Sequence, residues 1–249
     1  MSISQRHRVR LVIVAVILLW FLSHVLFEGV GKFLEGWEFW TLLLAVVIGI
    51  AFANLTVRRA MSRYRDAIAR EDLQAARREY EGLRDFWRRR GSETIKTYGT
   101  NLLILEGRYR EALDQLQALD MKKIGKKGAP MITNQIAWCL AQLGEPARAL
   151  ELAQSVLPHL EGLGLQFTAS GHLVIGTSCL FLGKPGEAVS HLEQANNTNF
   201  ASTKSVAWFY LGECYSALGD SQKARLAYQQ AHEALPEGKF GRRALEHLQ

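Results

Sequence analysis

Glycine followed five positions later by alanine recurs four times in this chain, as GRYREA from Gly107 to Ala112, GEPARA from Gly144 to Ala149, GKPGEA from Gly183 to Ala188 and GDSQKA from Gly219 to Ala224. The glycines are 37, 39 and 36 residues apart. A period in that range constrains the fold more than any other feature, because it marks a stack of repeated supersecondary units. Each pair lies between two apolar patterns of helical period. Glycine at a helix end takes a left-handed cap with little penalty, and alanine lets the following helix approach closely. Each unit is therefore a helix-turn-helix that cannot bury its apolar stripe alone, so neighbours must stack. Only five prolines in 249 residues, 48% of them apolar, favour helices over a many-turned β fold.

The last unit, WFYLGECYSALGDSQKARLAYQQAHEALP, carries more than spacing. It closely resembles a tetratricopeptide repeat, with Trp208, Leu211, Gly212, Tyr215, Gly219, Ala224, Tyr228, Ala231 and Pro236 at that family's pattern positions. The third unit keeps Ile175, Gly176, Gly183, Ala188, Leu192 and Ala195, and the second keeps Ile136, Ala137, Leu140, Gly144, Ala149 and Val156. In the first unit Thr100 takes the small position and Leu116 the aromatic one. Upstream, EDLQAARREYEGL matches the second half of a unit through Ala76 and Tyr80, and RRAMSRYRDAIA would be its partner helix. The resemblance covers 58–236 and implies an all-α solenoid of about four and a half repeats. GKFGRRALEHLQ then reads as a short capping helix, closing the exposed end of the stack. The inserts MKKIGKKGA and LGLQFTA lengthen two of the joints between units.

The first 57 residues have a different character. LVIVAVILLWFLSHVLF, at 11–27, has seventeen residues without formal charge, and FWTLLLAVVIGIAFANLTV, at 39–57, has nineteen. As helices they would span roughly 26 and 28 Å, close to the ~30 Å hydrocarbon core of a bilayer. No small-residue cleavage site follows the first run, so a two-helix transmembrane hairpin over 1–57 is expected rather than a signal peptide. Arg6, Arg8 and Arg10 precede the first span, and Arg58, Arg59, Arg63 and Arg65 follow the second, whereas the connecting loop holds Lys32 against Glu28, Glu35 and Glu38. Basic flanks stay in the cytoplasm, so both termini and the solenoid at 58–249 are expected there. Trp20, Trp37 and Trp40 suit interfacial anchoring, and His24 reads as a neutral packing or interfacial residue. Arginine-rich, lysine-poor usage points to a bacterial source, and hence to the inner membrane.

The net charge of +6 does not indicate nucleic acid. Residues 1–90 hold fifteen Lys and Arg against nine Asp and Glu, and 91–249 hold fifteen against fifteen, so the whole excess lies in the first third, where membrane-flanking charge explains it better than a nucleic-acid face. Arg88, Arg89 and Arg90, and the loop lysines Lys122, Lys123, Lys126 and Lys127, form two basic patches that anionic lipid would favour, and the lysines are read chiefly as solvated loop charge. Cys139, Cys179 and Cys214 are too widely spaced for a disulfide framework or a zinc site and read as reduced packing residues.

No phosphate loop, HExxH, GxSxG or clustered His, Cys and acid occurs. Neither catalysis, cofactor, metal nor small-molecule substrate is expected. Tetratricopeptide repeats are protein-interaction modules whose first helices line a concave groove. By that resemblance the groove positions here are Thr97 and Asn101, Asn134 and Trp138, Leu173, Thr177 and Phe181, and Phe209 and Glu213. Aromatics would anchor a peptide and amides would hold its backbone, although Leu173, Phe181 and Phe209 read equally well as packing. With Thr97 and Asn101 and no lysine in the first unit, a carboxylate clamp is not expected. The sequence thus implies a membrane-anchored adaptor or assembly factor with a protein partner at the cytoplasmic face. The alternative is an accessory subunit docked into a larger membrane complex through its hairpin.

Overall fold

Five turns of the chain share one backbone construction, and they set the architecture. In a computed structural model describing residues 37–87 and 93–249, the N–H of Gly107 meets the carbonyl of Ile104 and that of Arg108 meets Leu103, at 3.0 and 2.9 Å. The same pair of bonds recurs at Gly144, Gly183 and Gly219, with φ between 74° and 83° at all four glycines. This double closure satisfies the last carbonyls of a helix and reverses the chain, but only around a left-handed residue. At the fifth turn, Glu71 and Asp72 make the same bonds to Ile68 and Ala67, at 3.0 and 2.9 Å. Glu71 has φ 54°, the one non-glycine residue with positive φ among the described residues.

Eleven helices and no strand occur among the described residues. They are α1 (Trp37–Ala69), α2 (Leu73–Trp87), α3 (Glu93–Leu105), α4 (Tyr109–Gln117), α5 (Met121–Gln142), α6 (Pro146–Glu161), α7 (Leu165–Phe181), α8 (Pro185–Ala195), α9 (Ala201–Ala217), α10 (Ser221–Ala234) and α11 (Lys239–Glu246). The chain divides into two units, Met1–Ser62 and Arg63–Gln249.

In the first unit, α1 begins at Trp37, so the expected span at 39–57 is helical. It belongs to the one helix among the described residues long and apolar enough to cross a membrane. Leu43, Leu44, Val46, Val47, Ile48, Ile50, Phe52 and Leu55 expose 43–59% of their surface. The expected span at 11–27, with Arg6, Arg8, Arg10 and His24, lies outside the described residues, as do Arg88, Arg89 and Arg90. Arg58 and Arg59 are exposed.

In the second unit the helices pair as α3 with α4, α5 with α6, α7 with α8 and α9 with α10, and the end of α1 pairs with α2. Across that first pair Arg63 donates to Glu79 through two bonds of 2.8 and 3.1 Å. Arg65 is exposed. Buried Tyr64 stacks on Tyr98 and donates to its carbonyl at 2.5 Å, joining this pair to α3. The repeated alanines Ala76, Ala112, Ala149, Ala188 and Ala224 are all buried where paired helices meet. Close approach also explains Gly212, where an added Cβ would fall 2.6 Å from the Tyr228 ring. Cys139, Cys179 and Cys214 are free and buried in the same core, and burial pushes the Cys139 and Cys214 thiols up to about 12.

One expectation needs correction. Lys122, Lys123, Lys126 and Lys127 lie on the opening turns of α5 rather than on a loop. Asp120 caps those turns by accepting the Lys122 and Lys123 N–H groups, and Gly125, at φ 77°, kinks the helix between the two lysine pairs. LGLQFTA is likewise mostly the start of α7, capped at Gly164. Both joints are lengthened by helix rather than by irregular chain.

Candidate functional site

Tyr210, on α9, gathers the aromatic rings of the array around itself. Trp138 of α5 meets it edge-on at 6.4 Å between centroids, and Phe181 of α7 at 5.7 Å. Phe209 stands beside it at 5.4 Å, and Phe240 of α11 closes over both, 5.5 Å from Tyr210 and 5.3 Å from Phe209. The Tyr210 hydroxyl accepts from Gln142 Nε2 at 3.1 Å, a bond that skips the intervening α7–α8 pair. Burial raises the Tyr210 pKa to about 12, so its hydroxyl stays a neutral polar group within the cluster. Edge-to-face pairs of this kind contribute about 0.5–1.5 kcal/mol each beyond area burial.

The expected groove residues divide into those on this rim and those in the core. Phe181, 43% exposed, and half-buried Trp138 form the accessible rim. Asn101 accepts from Gln135 Nε2 at 2.5 Å and keeps partial exposure. Half-buried Thr97 donates to the Glu93 carbonyl within its own helix. Glu213 accepts the Tyr228 hydroxyl proton at 2.6 Å and lies 3.6 Å from His247 Nε2.

Asn134, Leu173, Thr177 and Phe209, by contrast, are buried and do not line an open groove. Asn134 donates to Ser170 Oγ at 2.8 Å across the α5–α7 contact. Leu173 belongs to the core cluster, and Thr177 is wholly enclosed. Phe209 is 0% exposed because α11 covers it. The Arg243 guanidinium lies 4.4 Å from its ring centroid and Phe240 packs from the side.

The sequence reading missed Tyr210, Gln142, Phe240 and Arg243. Phe240 and Ala244 are four residues apart, and both are buried, so helical spacing was the available signal for the inward face of α11. Nothing in that spacing revealed which surface the face meets.

The start of α11 ties distant parts of the second unit together. Lys239 Nζ lies 3.2 Å from the Tyr109 hydroxyl at the head of α4, and the Lys239 N–H donates to Glu71 Oε2 at 2.6 Å. Burial, with Arg243 nearby, holds the Lys239 ammonium below its usual pKa, partly opposed by Glu71. Gly238, the N-cap, has no side chain to offer, so the Glu71 carboxylate serves as the capping acceptor from across the fold.

A separate contact joins α7 and α8. His172 and His191 stack at 5.2 Å with Nδ1 atoms 3.0 Å apart, an arrangement that holds one proton between two neutral rings. Burial is the main cause lowering both pKa values, and for His172 the His191 ring adds to it. Among the described residues no three His, Cys, Asp or Glu side chains converge as metal ligands.

Residues 205–237, the α9–α10 unit, match the tetratricopeptide repeat family. No curated protein is significantly similar to the chain. Among solved structures the chain is similar to YrrB, described as a TPR protein with an unusual peptide-binding site. The identity is 15%, with 74% of this chain and 88% of that one covered, at a TM-score of 0.41. It is also similar to BtubC (BKLC) from P. vanneervenii, at 20% identity with 79% and 91% covered and a TM-score of 0.47.

Proposed function

We propose that this chain is a membrane-anchored adaptor, non-catalytic, that holds a protein partner against the aromatic rim of its helical array at the cytoplasmic face of a bacterial inner membrane. The observation that carries the binding part is the convergence of Trp138 and Phe181, from two different helix pairs, on Tyr210. Rings of this kind, partly exposed and backed by a rigid core, are the usual anchors of a protein interface. Support for the anchor comes from α1, whose apolar residues are exposed around the helix, a pattern that suits lipid rather than water. A tether to the membrane plane raises the effective concentration of the rim toward partners held there.

Photo-crosslinking in native membranes tests the reading. Benzoylphenylalanine at Phe181 should give a discrete adduct absent when the same group replaces Gln154, which is exposed on α6. Identical adducts from both positions would discard the rim as a binding surface. The anchor is tested separately, since the chain should resist alkaline carbonate extraction, and release into the supernatant would refute it.

A further inference from the structure

The C-terminal helix has the form of a bound ligand. Phe240, Arg243, Ala244 and His247 are spaced i, i+3, i+4 and i+7, the anchor pattern of a helix lying in a protein groove. Each anchor has a seat. Phe240 packs on Phe209 and Tyr210, Arg243 lies over the Phe209 ring, and Ala244 is 0% exposed. The His247 ring stacks on Tyr228 at 4.4 Å, within reach of Glu213. Continuing along the same surface, Tyr210 leads to Phe181 and Trp138, the rim described above.

The seat also has a fixed end. Glu71 occupies the one left-handed turn position that the other four repeats give to glycine. A side chain there is strained, and such strain is retained where it serves a site. What Glu71 supplies in return is a carboxylate at the positive end of the α11 dipole, 2.6 Å from the first helical N–H, where Gly238 supplies nothing. An N-cap provided by another part of the fold is not covalently tied to the helix it caps, and can serve any helix whose first turn is brought to the same place. The occupant itself is poorly suited to permanence, since eight residues are too few for a helix stable on its own, and it hangs from the short connection at 235–238.

We infer that residues 239–247 are an internal stand-in for the partner. The partner is then an amphipathic helix carrying an aromatic residue in its first turn and an arginine three residues later, which displaces α11 and takes Glu71 as its N-terminal cap. This rests on the adaptor reading above and adds the chemistry of its ligand. Exchange of the two helices makes binding and release of α11 a single competitive event.

The test uses the full-length chain in detergent, a form lacking only 239–249, and a fluorescein-labelled peptide of sequence GKFGRRALEHLQ. The shortened form should capture the peptide, and the intact chain should bind it at least ~10-fold more weakly, because its own helix competes at high effective concentration. Phe240→Ala or Arg243→Ala in the peptide should abolish capture, and Glu71→Gly in the shortened chain should weaken it several-fold although it relieves the strained turn. Failure of a helical, folded shortened form to take the peptide would overturn the inference. If the shortened form does not fold, hydrogen exchange of full-length Glu71→Gly decides. Faster exchange confined to 239–247 supports displacement, and loosening of α9 and α10 together with it shows a structural cap instead. Peptide capture without a crosslinked partner at Phe181 would retain the self-docking seat and discard the adaptor, whereas the reverse result would retain the adaptor and discard the stand-in.

Discussion

Replacing Phe209 by alanine separates the two roles open to this residue. As an accessible groove anchor it would be lost at almost no cost to the fold. In the structure its ring is fully enclosed, in contact with Tyr210, Tyr228 and Phe240 and beneath the Arg243 guanidinium. Removing so large a buried side chain forfeits its transfer energy and leaves a cavity, together about 3–5 kcal/mol. That is a large share of the ~5–15 kcal/mol that stabilises a typical domain. The loss should be greatest in the last unit, since a repeat array couples chiefly neighbours. Hydrogen exchange should show α9, α10 and α11 opening most, with smaller losses at the head of α4 and the end of α5, which Lys239 and Tyr210 reach. Phe181→Ala, at a residue 43% exposed with one ring partner, should cost no more than about 1 kcal/mol. Urea unfolding of both variants in the same detergent measures the difference. Equal midpoints would mean that α11 does not cover Phe209 in solution and that the aromatic cluster is open.

Gly212→Ala should destabilise the last unit by about 1–3 kcal/mol, because the new methyl collides with the Tyr228 ring, and a thermal melt no lower than the parent's would contradict that packing. Tyr64→Phe should cost about 1 kcal/mol by removing the hydrogen bond from its hydroxyl to the Tyr98 carbonyl, which denaturant titration reads directly. The His172–His191 pair makes stability depend on pH. Both folded pKa values lie below the ordinary 6.5, so the unfolded chain binds protons more readily, and stability present above 6.5 drains away as pH falls through and below it. The melting temperature should therefore drop between pH 7.5 and 5.5 by more than in His191→Gln, and parallel profiles would refute the assignment.

The turns were legible because their geometry demands glycine. Gly107, Gly144, Gly183 and Gly219 each mark a reversal that the structure places at the same backbone torsion. The equivalent turn at Glu71 carries no such mark, and only Ala76 and Tyr80, five and nine residues on, keep it within the pattern. Site residues were harder for a related reason. Helical spacing assigns a side chain to a face, and Phe181 and Phe209 both fall on the intended one. What covers that face depends on contacts far apart in sequence, such as Gln142 with Tyr210 or Glu71 with Lys239, for which a local pattern has no term. The lysines at 122–127 were misplaced because Gly125 and the neighbouring Gly128 suggest a loop, while the Asp120 cap starts a helix across them.

The enclosed thiols have a practical consequence. Maleimides and iodoacetamides attack thiolate, and with Cys139 and Cys214 held near 12 the ionised fraction at neutral pH is negligible. Cys179 is pushed in the same direction, and all three sulfurs lie behind packed helices. One cysteine introduced on the solvent side, in place of Gln154 for example, would take a dye or spin label selectively, and a pair of such cysteines would measure distances within the array without first building a cysteine-free background.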